Sequence, residues 1–145
     1  MTTATTGPAP DADLAAPLRT DTDVLRRVDL LLDEHARQLR SLVLLFTDGE
    51  GRQLPVAVPI DDVPDRPDPS LVNSVCWVIA EALAEHEGGR AVLVLTRPDT
   101  GEPTDADRRW GRLLEAGARQ HRVSVRMICL ATPAGVLRLS PDGAG

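Results

Sequence analysis

Aromatic residues are scarce in this chain, which has one Phe, two Trp and no Tyr among its 145 residues. Its core must therefore be built from Leu, Val and Ala, and a hydrophobic share of 42% is ordinary for one globular domain. The chain lacks an apolar run near the roughly 18–20 residues that a membrane helix needs. Its first residues, MTTATTGPAPDADL, also lack the basic and apolar regions of a signal peptide. These absences predict a cytoplasmic protein with no membrane span.

Cysteine is limited to Cys76 and Cys129, and both lie in strongly apolar segments. Such positions are typical of buried, unreactive thiols, and Cys76 would be a candidate nucleophile only if it were exposed beside a histidine. The chain has no Cys-x-x-Cys pair, no Gly-x-Ser-x-Gly, no P-loop and no dinucleotide-binding fingerprint. We therefore predict no catalytic residue and no cofactor.

Lysine is absent, so all 16 basic residues are Arg, a pattern typical of GC-rich bacterial coding. The net charge of −6 argues against a nucleic-acid binder, but the charge is unevenly distributed. Residues 1–89 carry 7 Arg and 16 acids, which gives −9, whereas residues 90–138 carry 9 Arg and 5 acids, which gives +4. This asymmetry is compatible with head-to-tail association or with a local anion site.

Periodicity and turn residues divide the chain into a disordered tail over residues 1–19, an α/β domain over residues 20–139 and a frayed tail over residues 140–145. In chain order, the predicted elements are a helix from Thr20 or Asp21 to about Leu39, a hairpin over residues 42–60, a helix over residues 70–87 with Ser70 as its N-cap, a central strand over residues 91–95, a helix opened by a Thr104–Asp107 capping box, and a final hairpin over residues 123–139. The helix over residues 70–87 is apolar on nearly every side, so it is expected to be buried between layers. This order predicts a single-domain α/β sandwich, in which two hairpins and a central strand form a mixed sheet packed with three helices.

Four segments in residues 42–139 resemble the RadC-like branch of the JAB/MPN metalloprotease-like domains. The hairpin LVLLFTD with Arg52 is similar to that family's opening LLLD..GR, and the apolar helix and strand over residues 70–95 follow in the family's order. RPDTGEPT, residues 97–104, is similar to the family's HPSGDPTPS loop, and LLEAG, residues 113–117, is similar to its L..AG helix. The resemblance implies the same fold.

The family's metal site would need a His-x-His at the strand end, an Asp in the next helix and a Glu near the first hairpin. Here the strand ends Leu95-Thr96-Arg97, residues 53–62 contain no Glu, and only Asp107 could match. The resemblance therefore implies a divergent, metal-free member without enzymatic activity. From the residues alone, Asp107 is expected to cap its helix. A metal set assembled by folding from Asp107, His121 and Asp61 or Asp62 stays open as a hydrolase alternative.

Arginine is the most suggestive residue type for binding, because guanidinium groups hold carboxylates and phosphates through two hydrogen bonds. The candidate residues for an anion or an acidic partner are Arg97, Arg108, Arg112, Arg119 and Arg122, with Arg126 in the next strand. The competing interpretation is a solvated helix face. We expect a non-catalytic interaction or regulatory module that binds a protein partner or itself, with a nucleic-acid-associated protein as the alternative.

Overall fold

The computed structural model describes residues 16–139, so most of the predicted N-terminal tail and all of residues 140–145 lie outside it. The elements are α1 (Asp21–Leu31), α2 (Glu34–Arg37), β1 (Ser41–Thr47), β2 (Gln53–Asp61), α3 (Pro69–Ala82), β3 (Arg90–Thr96), α4 (Asp105–Gln120), β4 (Val125–Thr132) and β5 (Gly135–Arg138). The predicted α/β class and the mixed sheet are confirmed. The described part of the chain has four helices, however, where three were predicted.

The five strands form one sheet in the order β2-β1-β3-β4-β5. β1 runs antiparallel to both β2 and β3, β3 and β4 are parallel, and β5 returns antiparallel to β4. The parallel pair is joined through α4, because two parallel strands need a long crossover connection. The central strands β1 and β3 are buried along almost their whole length, which explains their continuous apolar sequences.

Side chains of the central strands alternate between two hydrophobic clusters, one on each face of the sheet. Leu42, Leu44 and Phe46 of β1 join the cluster beneath α3 and α4. Val43 and Leu45 join the opposite cluster, which is covered by α1. The sheet is therefore the middle of three layers.

The first helix is shorter than predicted. It ends at Leu31, and Asp33 caps the separate short helix α2. The buried Arg37 turns back and donates from Nη2 to the carbonyl of Asp29 at 2.8 Å and from Nε to that of Leu32 at 3.0 Å. Because a helix end leaves carbonyls without partners, this guanidinium stabilises the break.

The helix α3 was predicted to be buried between layers. This prediction is wrong for the side of α3 that faces solvent. Trp77 is 63% exposed, whereas Val72, Cys76 and Ile79 are buried. α3 begins at Pro69, with Asp68 as its N-cap instead of the predicted Ser70, and ends at Ala82, earlier than residue 87. An apolar sequence therefore does not make every side of this helix part of the core.

α3 packs closely on α4 at Gly117. A Cβ atom on Gly117 would lie 2.7 Å from Cγ1 of Val72 and 3.1 Å from Sγ of Cys76. These separations leave no room for a side chain, so glycine sets the closeness of the two helices.

Candidate functional site

The end of β3, where the resembled family has its metal ligands, is occupied by Arg97. The side chain is 4% exposed, and its Nε and Nη2 donate to Oδ2 of Asp107 at 3.1 and 3.0 Å. Nη1 donates to the carbonyl of Asp99 at 2.6 Å, and Nη2 also donates to the carbonyls of Gly101 and Glu102 at 3.2 and 3.1 Å. Arg97 therefore anchors the loop between β3 and α4.

Asp107 has a second structural role at the start of α4. Its Oδ2 accepts a hydrogen bond from the backbone N–H of Thr104 at 2.9 Å, and the Asp107 N–H donates to Oγ1 of Thr104 at 3.1 Å. This reciprocal pair is the predicted capping box, which the structure confirms.

Apolar packing surrounds the Arg97–Asp107 pair. Trp110, Val63 and Leu130 line the same region, where the free volume is only about 10 Å³. That is space for about one water molecule. Nε1 of Trp110 donates to the carbonyls of Pro64 and Asp65 at 3.0 and 3.1 Å. These hydrogen bonds hold the loop before α3 against the Arg97–Asp107 region.

A metal ion does not fit this arrangement. Oδ2 of Asp107 already accepts from three N–H groups, and the Arg97 guanidinium would repel a cation beside it. Within residues 16–139, no three His, Cys, Asp or Glu side chains are grouped so that they could hold a metal. The residues of the hydrolase alternative are not brought together, because Asp107 lies in the first turn of the 16-residue α4 and His121 caps its other end. At 1.5 Å per residue they are about 20 Å apart along the axis.

The other four candidate arginines are exposed, and three of them lie on α4. Arg108, Arg112 and Arg119 are separated by four and seven residues, and at 3.6 residues per turn these spacings place them on one side of the helix. Arg122 lies two residues beyond the end of α4, after the C-cap His121, and has a positive φ of 58°. We call these four residues the arginine face. Arg97 does not belong to it, because its guanidinium is buried.

The arginine face has little internal charge compensation. Arg108 lies 3.5 Å from the carboxylate of Asp105, a long and solvent-exposed ion pair. No carboxylate of the described chain lies within 4.0 Å of Arg112, Arg119 or Arg122. The face is a positive surface open to solvent, and its attraction for an anion will depend on ionic strength.

Sequence reasoning missed a second cluster of charge at the edge of the sheet. Oδ1 of Asp21 accepts from Arg126 at 2.8 Å and Oδ2 accepts from Arg138 at 2.7 Å, so one carboxylate at the start of α1 lies between two guanidinium groups. The hydrogen bond from Arg126, reinforced by the charges of both arginines, holds the pKa of Asp21 below its usual value. No local pattern could reveal this contact, because Arg126 is 105 residues from Asp21 and lies at an irregularity in the pairing of β3 with β4.

The two cysteines are buried, as predicted. Burial raises the pKa of the Cys76 thiol, and burial raises that of Cys129 to about 12. Because the thiolate is the reactive form, neither environment favours nucleophilic chemistry.

No model of a known protein family, no curated protein and no solved structure matches the chain. The resemblance to RadC-like domains therefore stays a prediction that depends on the short segments quoted above. None of the helices within residues 16–139 is both long and apolar enough to cross a membrane.

Proposed function

We propose that this domain is a non-catalytic protein-interaction module and that its arginine face binds an acidic protein surface. The observation that carries the proposal is the exposed row of Arg108, Arg112 and Arg119, of which two have no carboxylate within 4.0 Å in the described chain. Exposed guanidinium groups without a nearby carboxylate can form hydrogen-bonded ion pairs with carboxylates of a partner.

The packed end of β3 supports the non-catalytic part of the proposal. Arg97 and Asp107 hold a loop and a helix start there, and the surrounding free volume of about 10 Å³ leaves no space for a substrate. On a RadC-like scaffold, this would be a degenerate centre whose stabilising role has replaced its chemistry. The domain we propose is therefore a pseudoenzyme with a binding role, and the location we expect for it is the cytoplasm.

Charge separation within the chain favours a protein partner over nucleic acid. The net charge of −6 opposes the approach of a nucleic-acid backbone, which is negative along its whole length. An acidic patch on a protein is confined in extent, so the local positive face attracts it at short range. The acidic surface could belong to another protein or to a second copy of this chain, because residues 1–89 carry a net −9.

The test is a charge reversal with a matched control. The triple variant Arg108→Glu, Arg112→Glu, Arg119→Glu should lose partners that the wild-type domain captures from its host's lysate and releases at raised salt. The control reverses three exposed arginines outside the face, Arg19, Arg26 and Arg66, and changes the net charge equally. It should retain those partners.

Circular dichroism and sedimentation of each purified variant provide the fold and self-association controls. Equal capture by wild type and the triple variant would refute the proposal. If the wild-type domain captures no protein but binds DNA or RNA, and the triple variant loses that binding, the nucleic-acid alternative replaces the proposed protein partner.

A further inference from the structure

The two tryptophans of this chain lie in opposite environments. Trp110 is 2% exposed and donates its indole N–H to two backbone carbonyls, whereas Trp77 is 63% exposed on α3. A single exposed leucine or valine is ordinary on a protein surface, but a tryptophan can bury roughly 150–250 Å² against a partner. Tryptophan is also enriched among the residues that contribute most to binding at protein interfaces. Trp77 therefore marks the outer side of α3 as an interaction surface.

The residues around Trp77 are small or acidic. Ser74, Ala80 and Glu81 are three or four residues from Trp77, which places them on the same side of the helix, and all three are exposed. Residues 69–89 contain no Lys or Arg. Within residues 16–139, no basic side chain lies within 4.0 Å of the Glu81 carboxylate. We call Ser74, Trp77, Ala80 and Glu81 the tryptophan face.

The tryptophan face is complementary to the arginine face. An exposed guanidinium group can stack on an indole ring and donate hydrogen bonds to a carboxylate beside that ring, so one arginine can contact both Trp77 and Glu81. Arg112 and Arg119 offer such groups, since neither has a carboxylate within 4.0 Å in the described chain. Each face thus carries the chemistry that the other would bind.

Both faces lie in the same outer layer of the domain. α3 and α4 cover the same side of the sheet, contribute to one hydrophobic cluster and pack together at Gly117. The tryptophan face and the arginine face are exposed sides of these neighbouring helices. A two-fold axis that runs along this layer between the helices would place α3 of one copy over α4 of a second copy, and α4 over α3 in the same step. Two copies can therefore form the same contact twice.

We infer that the arginine face binds a second copy of this chain, through that copy's tryptophan face, in a two-fold symmetric dimer. This inference rests on the proposed function, and it names the partner of the arginine face. The net charge of −6 on each copy is screened beyond about 8 Å at physiological ionic strength, so local complementarity decides whether the copies associate. The two indoles supply apolar burial, and the ion pairs fix the relative orientation of the copies.

Sedimentation equilibrium of the purified domain tests the dimer directly. At about 0.15 M salt, the wild type should change from monomer to dimer as its concentration rises to about 1 mM. Trp77→Ser should weaken dimerisation at least about tenfold, because both contacts lose an indole. The control Leu30→Ser changes an exposed apolar residue of α1, on the other side of the sheet, and should leave dimerisation unchanged. A wild type that stays monomeric at about 1 mM, or equal effects of the two variants, would overturn the inference.

A charge exchange identifies the two faces that meet. Glu81→Arg and the triple variant of the arginine face should each be monomeric alone, because both contacts then join like charges. A mixture of these two proteins should form a heterodimer, since each of its contacts again joins opposite charges. The control Glu50→Arg reverses an exposed carboxylate in the turn between β1 and β2, and this variant should stay dimeric. A mixture that remains monomeric would contradict the pairing of the two faces.

Failure of this inference and failure of the proposed function give different results. If the wild type is monomeric but captures proteins that the triple variant loses, the second copy is excluded and the arginine face remains a binding site for another protein. If Trp77→Ser abolishes a dimer that the triple variant retains, the arginine face is not part of that contact and the inference is wrong. Circular dichroism of each variant, compared with wild type, shows that the fold is retained.

Discussion

Replacing Asp107 should be among the most destabilising single changes in the domain. Asp107→Ala leaves the Arg97 guanidinium buried without its counter-charge, and breaking a buried pair in this way costs about 3–5 kcal/mol. The variant also loses the acceptor for the Thr104 N–H, a capping contact of about 1 kcal/mol. We expect the free energy of unfolding to fall by about 4 kcal/mol, which is a large share of the 5–15 kcal/mol of a typical domain.

A double-mutant cycle shows whether this loss comes from the pair. In Arg97→Met with Asp107→Leu, apolar side chains of similar volume replace both charges, and such replacements are often neutral or stabilising. The carbonyls of Gly101 and Glu102 then rely on water, because both residues are exposed. The double variant should therefore be at least about 2 kcal/mol more stable than the sum of the single changes predicts.

Urea unfolding followed by tryptophan fluorescence measures these differences, with Trp110 as a buried reporter beside the pair. Asp107→Asn is the variant to use if Asp107→Ala does not fold, because the amide keeps an oxygen for the cap. A loss below about 1 kcal/mol for Asp107→Ala, or single changes that simply add, would refute the argument that this end of β3 is a packed structural centre.

Two further predictions concern helix packing and pH. Gly117→Ala should lower the free energy of unfolding by about 1–3 kcal/mol, because the added Cβ would lie 2.7 Å from Cγ1 of Val72. The control Gly101→Ala should be nearly neutral in the same urea assay, because an added Cβ there would meet no atom within 4 Å. Since the pKa of Asp21 is below its usual 3.8 in the folded state, its ion pairs stabilise the fold above that value and cease to do so as the pH falls through the lowered pKa. Wild type should therefore have a larger free energy of unfolding than Asp21→Asn near pH 6, and this difference should disappear towards pH 2. A stability difference that persists or grows in acid would contradict the role given to the ion pairs of Asp21.

Much of the secondary structure could be predicted from the sequence because its causes are local. The apolar runs of β1 and β3 predict strands, and that of β3 predicts a strand covered on both faces. Both strands form, and both are central and buried. Thr104 and Asp107 are three residues apart, so their capping box depends on one turn of backbone alone. The same locality explains why the buried cysteines were predicted correctly, since their neighbours in sequence are apolar.

Burial and charge pairing at the candidate sites were decided by tertiary structure. Arg97 resembles Arg108 as an isolated residue, yet the packing of Trp110 and Val63 buries Arg97 against Asp107, while Arg108 stays in solvent. Trp77 lies in an apolar helix and is exposed, because only one side of α3 meets the sheet and α4. Asp21 meets Arg126 and Arg138 only when α1 lies across the sheet. Sequence patterns determine which elements form, whereas the function of a charged side chain depends on the faces that the folded layers bring together.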